Sequence, residues 1–169
     1  FSMVPAAAVA SASASLYVGT EQQVIASVNL DRANSGNAPL VTDPRLTSVA
    51  EARAQYIVST GNLSHCTSAA DDNQCSRSGY DLASREQALG LAVGTTGVAA
   101  AENLAVNNFG GAGSVAETTV NWLISPEHRA NMLDPQFSYT GVGVACCFVG
   151  TLDGKPITTA DDVYVYVQE

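Results

Sequence analysis

The sequence predicts an α+β domain built as a helix–sheet–helix sandwich, and three observations carry that expectation. Apolar residues recur at three- and four-residue spacing as far as Leu133, whereas β-branched and aromatic runs dominate after Thr140. Between the runs GVGVACCFVG and VYVYVQ lies Asp153-Gly154, a hairpin signal. Helices first and an antiparallel hairpin last are the pattern of an α+β fold. The 169 residues make one domain's worth of chain, long enough to bury about two thirds of the unfolded surface.

The elements follow in order. Residues 1–19 carry Ala, Ser and Val without period and are expected to form a tail, leaving 20–169 as a single domain. From Glu21, Val24, Ile25 and Val28 share the face of a short amphipathic helix that Gly36 ends. Asp43-Pro44 supplies a cap followed by a first-turn proline. Leu46, Val49, Ala50, Ala54, Ile57 and Val58 then continue a helix over 44–60, which Gly61 stops. The polar stretch 62–80 is loop-like, and 86–106 is Ala/Leu/Val-rich with helical spacing interrupted by Gly90, Gly94 and Gly97. Ser114 and Glu117 form a capping box for a helix over 115–124. Ser125-Pro126 restarts the pattern as cap and first position, for a short helix to Leu133.

Charge and cysteine usage narrow the function classes. Seven Lys and Arg against sixteen Asp and Glu leave a net charge of −9, a surface that repels phosphate and argues against nucleic acid or anionic membrane as partners. No apolar run reaches the ~20 residues that span a bilayer. Of the four cysteines none forms a Cys-x-x-Cys pair, which argues against a structural zinc finger. Cys66 and Cys75 bracket a short polar loop and are expected to form a disulfide worth about 3 kcal/mol. Cys146 and Cys147 are adjacent, and strand neighbours point to opposite faces. They fit either a vicinal disulfide or two reduced small hydrophobes. The stretch PAAAVASASAS resembles the end of a secretory signal with an Ala-x-Ala site, and equally a tether after a cleaved one. A secreted protein, extracellular or at the cell surface, is expected.

The chemistry is concentrated in few residues. There is no G-x-S-x-G elbow, H-E-x-x-H pair, P-loop or G-x-G-x-x-G opening a helix. His65 follows the helix 44–60 in NLSHC, Glu102 and Asn103 lie between alanines in AENLA, and His128 is the third helical residue of SPEHRAN. Two imidazoles and a carboxylate can hold a divalent metal such as Zn²⁺ facially, with His65 and His128 as ligands. The plainer readings stand beside this one. Either histidine can be a satisfied core or surface residue, Glu102 can accept backbone hydrogen bonds at a helix start, and Glu127 can complement a helix dipole. Arg129 and Asn131 can satisfy turn carbonyls, and Trp122 at helical spacing fits the core. If the three residues meet, the carboxylate should raise both histidine pKa values in the absence of metal. Asn62-Leu63-Ser64 is a formal glycosylation acceptor. A glycan there would crowd His65, so a bacterial, unglycosylated product is expected.

Several blocks in order resemble the CAP superfamily (cysteine-rich secretory proteins, antigen 5, pathogenesis-related 1), in particular its bacterial SCP-like extracellular branch. They are VNLDRANSGNAPLVTDPRLTSVAEARAQYI, LSH at 63–65, RSGY at 77–80, AENLA at 101–105, NWLISPEHRANMLDP at 121–135 and FSYTGVGVA at 137–145. The resemblance implies an α-β-α sandwich whose cleft is lined by His65, Glu102 and His128. There are departures. Many members carry a second glutamate three residues after the tryptophan, where Ser125 stands here. Glu127 replaces the glycine of the bacterial SPGHR pattern and is a candidate substitute for the missing carboxylate. Ala101 stands where glycine normally precedes the Glu-Asn pair, and 82–98 looks like an insertion that could lid the cleft or decorate its rim.

Two functions follow. The first is a non-enzymatic binding module whose cleft takes a divalent metal, a lipid or small molecule, or a protein partner. The second is a metal-dependent hydrolase in which His65 and His128 hold Zn²⁺ and Glu102 activates its water. Fold-level likeness does not choose between them.

Overall fold

The structure is a computed structural model that describes residues 17–65, 80–91, 99–107, 112–152, 155–157 and 164–168. The expected Cys66–Cys75 pair, most of the proposed tail and the second part of the proposed insertion lie outside the described residues.

Helix α1 (Val18–Asn34) starts three residues before the readable periodicity and buries Glu21, Val24, Val28 and Arg32 along one stripe. Two of those four are charged, and each has acceptors or donors to match. Val144 N donates to Glu21 Oε1 at 3.2 Å. The Arg32 guanidinium donates to the carbonyls of Ala38, Met132, Asp134 and Phe137 at 2.8–3.1 Å, tying the far end of the domain to α1. Helix α2 (Pro44–Thr60) has the ends its sequence calls for. Asp43 accepts from Arg45 N at 2.8 Å, and Gly61 adopts φ 66 while its N–H bonds Ile57 O. Gly61 also lies against the Val149 carbonyl, where a Cβ has no room.

The chain 86–106 is not one helix. Helix α3 (Tyr80–Ala88) ends before Gly90, which takes φ 77, and Asn103–Asn107 is a strand, β2. The Ala, Leu and Val residues there suggest a glycine-interrupted helix, and pairing with a neighbouring strand overrides that propensity at Asn103–Asn107. Helix α4 (Ala112–Ile124) begins before Ser114, so Ser114 lies inside the first turn and not at the expected cap. Helix α5 (Pro126–Leu133) has Ser125 at its N-cap, but through its backbone carbonyl, which accepts from Arg129 N, and not through its hydroxyl.

Two short strands, β1 (Val41–Thr42) and β3 (Tyr139–Thr140), pair in parallel. The central sheet has the order β2-β7-β4, with β4 at Val142–Cys146 and β7 at Tyr164–Gln168, antiparallel throughout. The two runs expected to form one hairpin do pair, as β4 and β7. The chain between them makes its own ribbon, β5 (Gly150–Leu152) with β6 (Lys155–Ile157), on either side of Asp153-Gly154.

Strand alternation sends side chains to two cores. Val142, Val144 and Tyr166 meet Val24, Val28, Val115, Trp122 and Met132 from α1, α4 and α5. Leu104, Ala145, Val165 and Val167 meet Ala50, Ala54 and Ile57 from α2. The result is the α-β-α sandwich. Gly141 and Gly143 let α2 rest directly on β4, since a Cβ on either would strike the backbone of Leu46–Thr47 or Ala50–Glu51. Cys146 and Cys147 are disulfide-bonded to each other where β4 ends, and Cys147 takes φ 80. Of the two readings left open for this pair, the structure has the vicinal disulfide. No described helix is long and apolar enough to cross a membrane.

Candidate functional site

Glu102 immediately precedes β2. Its carboxyl is buried yet reached from three directions. His65, five residues beyond α2, places Nδ1 2.8 Å from Oε1. Arg85 of α3 donates Nη2 to Oε2 at 2.7 Å, and Arg53 of α2 brings Nε within 3.5 Å of the same oxygen. Arg53 also donates to the Ser64 carbonyl, so one guanidinium ties the carboxylate to the backbone just before His65.

The electrostatics follow from that enclosure. Burial alone would raise the Glu102 pKa, but the His65 hydrogen bond and the charges of Arg85 and Arg53 outweigh it and hold the carboxyl below its ordinary value. Glu102 is therefore an ion at neutral pH. Arg53, fully buried, is stable as a cation there because that anion faces it.

His128 stands on the first turn of α5. Its pKa is lowered, first by burial and then by the charge of His65, with Glu127 pulling weakly the other way. The expectation that both imidazoles would be raised therefore fails for His128. The carboxylate bonds His65, and His128 meets burial and a like charge instead. Its tie to the Glu102 segment runs through the backbone. Asn103 Nδ2 donates to His128 O at 3.3 Å and to Gln168 Oε1 at 3.1 Å. Asn131 Nδ2 donates to Asn103 Oδ1 at 3.0 Å and to Glu102 O at 3.4 Å. Trp122 Nε1 donates to Leu104 O at 3.0 Å, locking β2 to α4.

Of the auxiliary candidates, Asn103 is buried in this network. Glu127 is exposed in the first turn of α5 and acts on His128 only as a charge. Ser125 is half-buried at the cap. Arg53 and Arg85 are the residues that sequence reasoning missed. Arg53 carried a signal, a charge on the apolar stripe of α2 between Ala50 and Ile57. Arg85 falls in the stretch that looked inserted, and supplies the shortest contact to Glu102 from an arginine.

The donor set bears on metal binding. Among the described residues no group of three or more His, Cys, Asp or Glu is arranged to hold a metal ion. Both Glu102 oxygens already serve His65 and the two arginines, so a metal here would have two imidazoles as its protein ligands. A structural or catalytic zinc normally has three or four.

Beside this cluster, a cavity of about 500 Å³ opens among the start of α2, α3, the approach to β2 and the approach to β3. Asn103 and Asn131 belong to its wall, whereas His65, Glu102 and His128 do not.

Comparison with known proteins bears on the whole domain. Residues 25–168 match the CAP family, described as the cysteine-rich secretory protein family. An extracellular protein containing a SCP domain from Bacillus anthracis superposes with a TM-score of 0.57 at 20% identity. The match covers 89% of this chain and 40% of that one. An outer surface protein from Borrelia burgdorferi gives 0.60 at 12% identity, covering 90% of this chain and 91% of that one. A cysteine-rich secretory protein from Staphylococcus aureus gives 0.52 at 13% identity, covering 89% and 38%. This chain thus spans about two fifths of the Bacillus and Staphylococcus chains and nearly all of the Borrelia one. No curated protein sequence matches it.

Proposed function

We propose, from the premise that the chain belongs to the CAP family of cysteine-rich secretory proteins, that it acts outside the cell or at its surface as a binding module. The similarity to an extracellular protein of Bacillus anthracis and an outer surface protein of Borrelia burgdorferi supports the compartment. The observation that carries the rest is the complete engagement of Glu102, with Oε1 on His65 and Oε2 on Arg85 and Arg53. A carboxylate held ionised by two guanidiniums and an imidazole is a poor general base, and its remaining role is to orient. It fixes the His65 ring through Nδ1. His128, kept neutral by burial, offers the second imidazole. The cleft accordingly presents oriented imidazoles to a divalent metal, a lipid or small molecule, or a partner's polar groups.

One observation favours a second reading, a metal-dependent hydrolase. A carboxylate on Nδ1 is also the outer partner that raises the basicity of a metal-ligating imidazole. In that reading His65 and His128 would hold Zn²⁺, and Glu102 would steady His65 and not activate the water. Calorimetric titration of metal-stripped protein with Zn²⁺ tests the metal site on which the hydrolase depends, repeated on His65→Ala and Glu102→Gln. Zinc binding that His65→Ala abolishes and Glu102→Gln weakens about tenfold or more supports a metal ligand in the cleft. The absence of heat in the unaltered protein removes both the metal and the hydrolase, and leaves organic or protein ligands.

A further inference from the structure

The cavity beside the cluster has one feature that its neighbours do not explain. Glu86 forms part of its wall and is only 2% exposed, and its Oε2 has no hydrogen-bond partner among the described residues. A buried carboxyl oxygen without a donor is costly, and native structures rarely leave one. The nearest cation does not meet the need, because Arg85 of the same helix is committed to Glu102 at 2.7 Å. Arg45, also in the wall, is paired with Asp43 at 2.7 Å. Leu40, Leu46, Leu91, Phe137 and the run Ala99–Ala101 make the apolar part of the remaining wall, beside amide and hydroxyl side chains such as Asn103, Asn131 and Gln168. The volume falls within the roughly 300–1,000 Å³ of small-molecule sites.

We propose that this cavity binds a small organic amine, its ammonium paired with Glu86 Oε2 and its hydrocarbon body against the leucines and Phe137. A bare metal cation fits poorly, since a hard ion takes six or more oxygens and, of the two carboxylates in the wall, Asp43 is already paired with Arg45. A fatty acid would place a second carboxylate against Glu86. A neutral alcohol can donate one hydrogen bond, but an ammonium adds its charge, and charge-assisted bonds are about twice as strong. The net charge of −9 favours the cation further. The site is separate from the histidine cleft and does not depend on how that cleft functions.

Burial is the main cause that pushes Glu86 up to about 7, with Arg85 opposing and Glu102 reinforcing it. Asp43 and Arg45 are the other charged groups in the wall. An ammonium needs the ionised carboxyl, whereas its own pKa, like that of lysine at about 10.4, keeps it charged throughout. Amine affinity should therefore fall about tenfold between pH 8 and pH 6, because Glu86 takes up a proton that the amine must displace. Binding of an alcohol should stay level.

The experiment is calorimetric titration with n-heptylamine, 1-heptanol and heptanoate, at pH 8 and pH 6, on the unaltered protein and on Glu86→Gln. The expected result at pH 8 is heptylamine at least tenfold tighter than heptanol, with heptanoate weakest. That preference should shrink about tenfold at pH 6, and Glu86→Gln should abolish it while keeping heptanol binding, which shows that the cavity persists. Equal binding of amine and alcohol to the unaltered protein would overturn the proposal. So would an amine preference that survives in Glu86→Gln, or no binding by any of the three. The pH comparison needs no variant, so a Glu86→Gln protein that fails to fold does not shelter the idea.

Discussion

Replacing Glu102 with glutamine tests whether one anion holds the cluster together. The substitution keeps shape and removes charge. It removes the anion that both Arg53, fully buried, and Arg85, largely buried, face. Removing one partner of a buried ion pair costs about 3–5 kcal/mol, because the other charge stays desolvated. For a domain of this size each kcal/mol lowers Tm by about 2–4 °C, so the expected drop is about 6–20 °C. Thermal melts at pH 7 measure it. The pH dependence is a second check, with a definite sign. Glu102 has a folded pKa below its ordinary 4.5, so its stabilisation is complete above that value. It is lost as pH falls from there through the folded pKa. The unaltered protein should lose stability on that acid limb, and Glu102→Gln should be flatter there. A double variant with Arg85→Met should recover part of the loss, since it removes one of the two cations that the carboxylate balanced. A Glu102→Gln protein within about 1 kcal/mol of the original, the range of an exposed pair, would refute the reasoning, as would an unchanged acid limb.

Three other outcomes are expected. Arg32→Leu strips the carbonyls of Ala38, Met132, Asp134 and Phe137 of their donor. It should cost about 3 kcal/mol or more in urea unfolding, since each stranded buried acceptor costs about 1–3. Gly143→Ala drives a Cβ into the Ala50–Glu51 backbone and should cost about 3 kcal/mol by overpacking, visible as a lower urea midpoint. His128 should titrate below its ordinary 6.5 in proton NMR. The unfolded chain then binds the extra proton, so stability falls as pH drops below about 6.5, and His128→Asn should remove that part of the slope.

Helix ends were the most legible part of the sequence. Asp43-Pro44, Gly61 and Ser125-Pro126 bound α2 and α5 where their local chemistry says they should. Strand β2 was hidden, because AENLAVN has no strict alternation and becomes a strand only by pairing with β7. The Ser114 box misplaced the start of α4 by a turn for a related reason, since a local cap signal yields to the packing of Val115 and Trp122. In the site, Glu102 stood out as a charge among alanines and His65 as its neighbour in a family pattern. Their partners did not. Arg85 reaches Glu102 from a helix whose docking depends on the fold, and no spacing in the chain records that contact.

The central strand of the sheet is also the last to be made. Strand β7 joins β2 to β4, pairing Asn103 with Gln168 on one side and Val142 with Gln168 on the other, and β2 and β4 do not pair with each other. Until residues 164–168 leave the ribosome, both partners wait with open edges and neither core can close over them. Loop-closure entropy is met late and long-range pairing is slow. The domain of such a nascent chain stays unfolded until this strand has been made, and its open edges are available to chaperones until then.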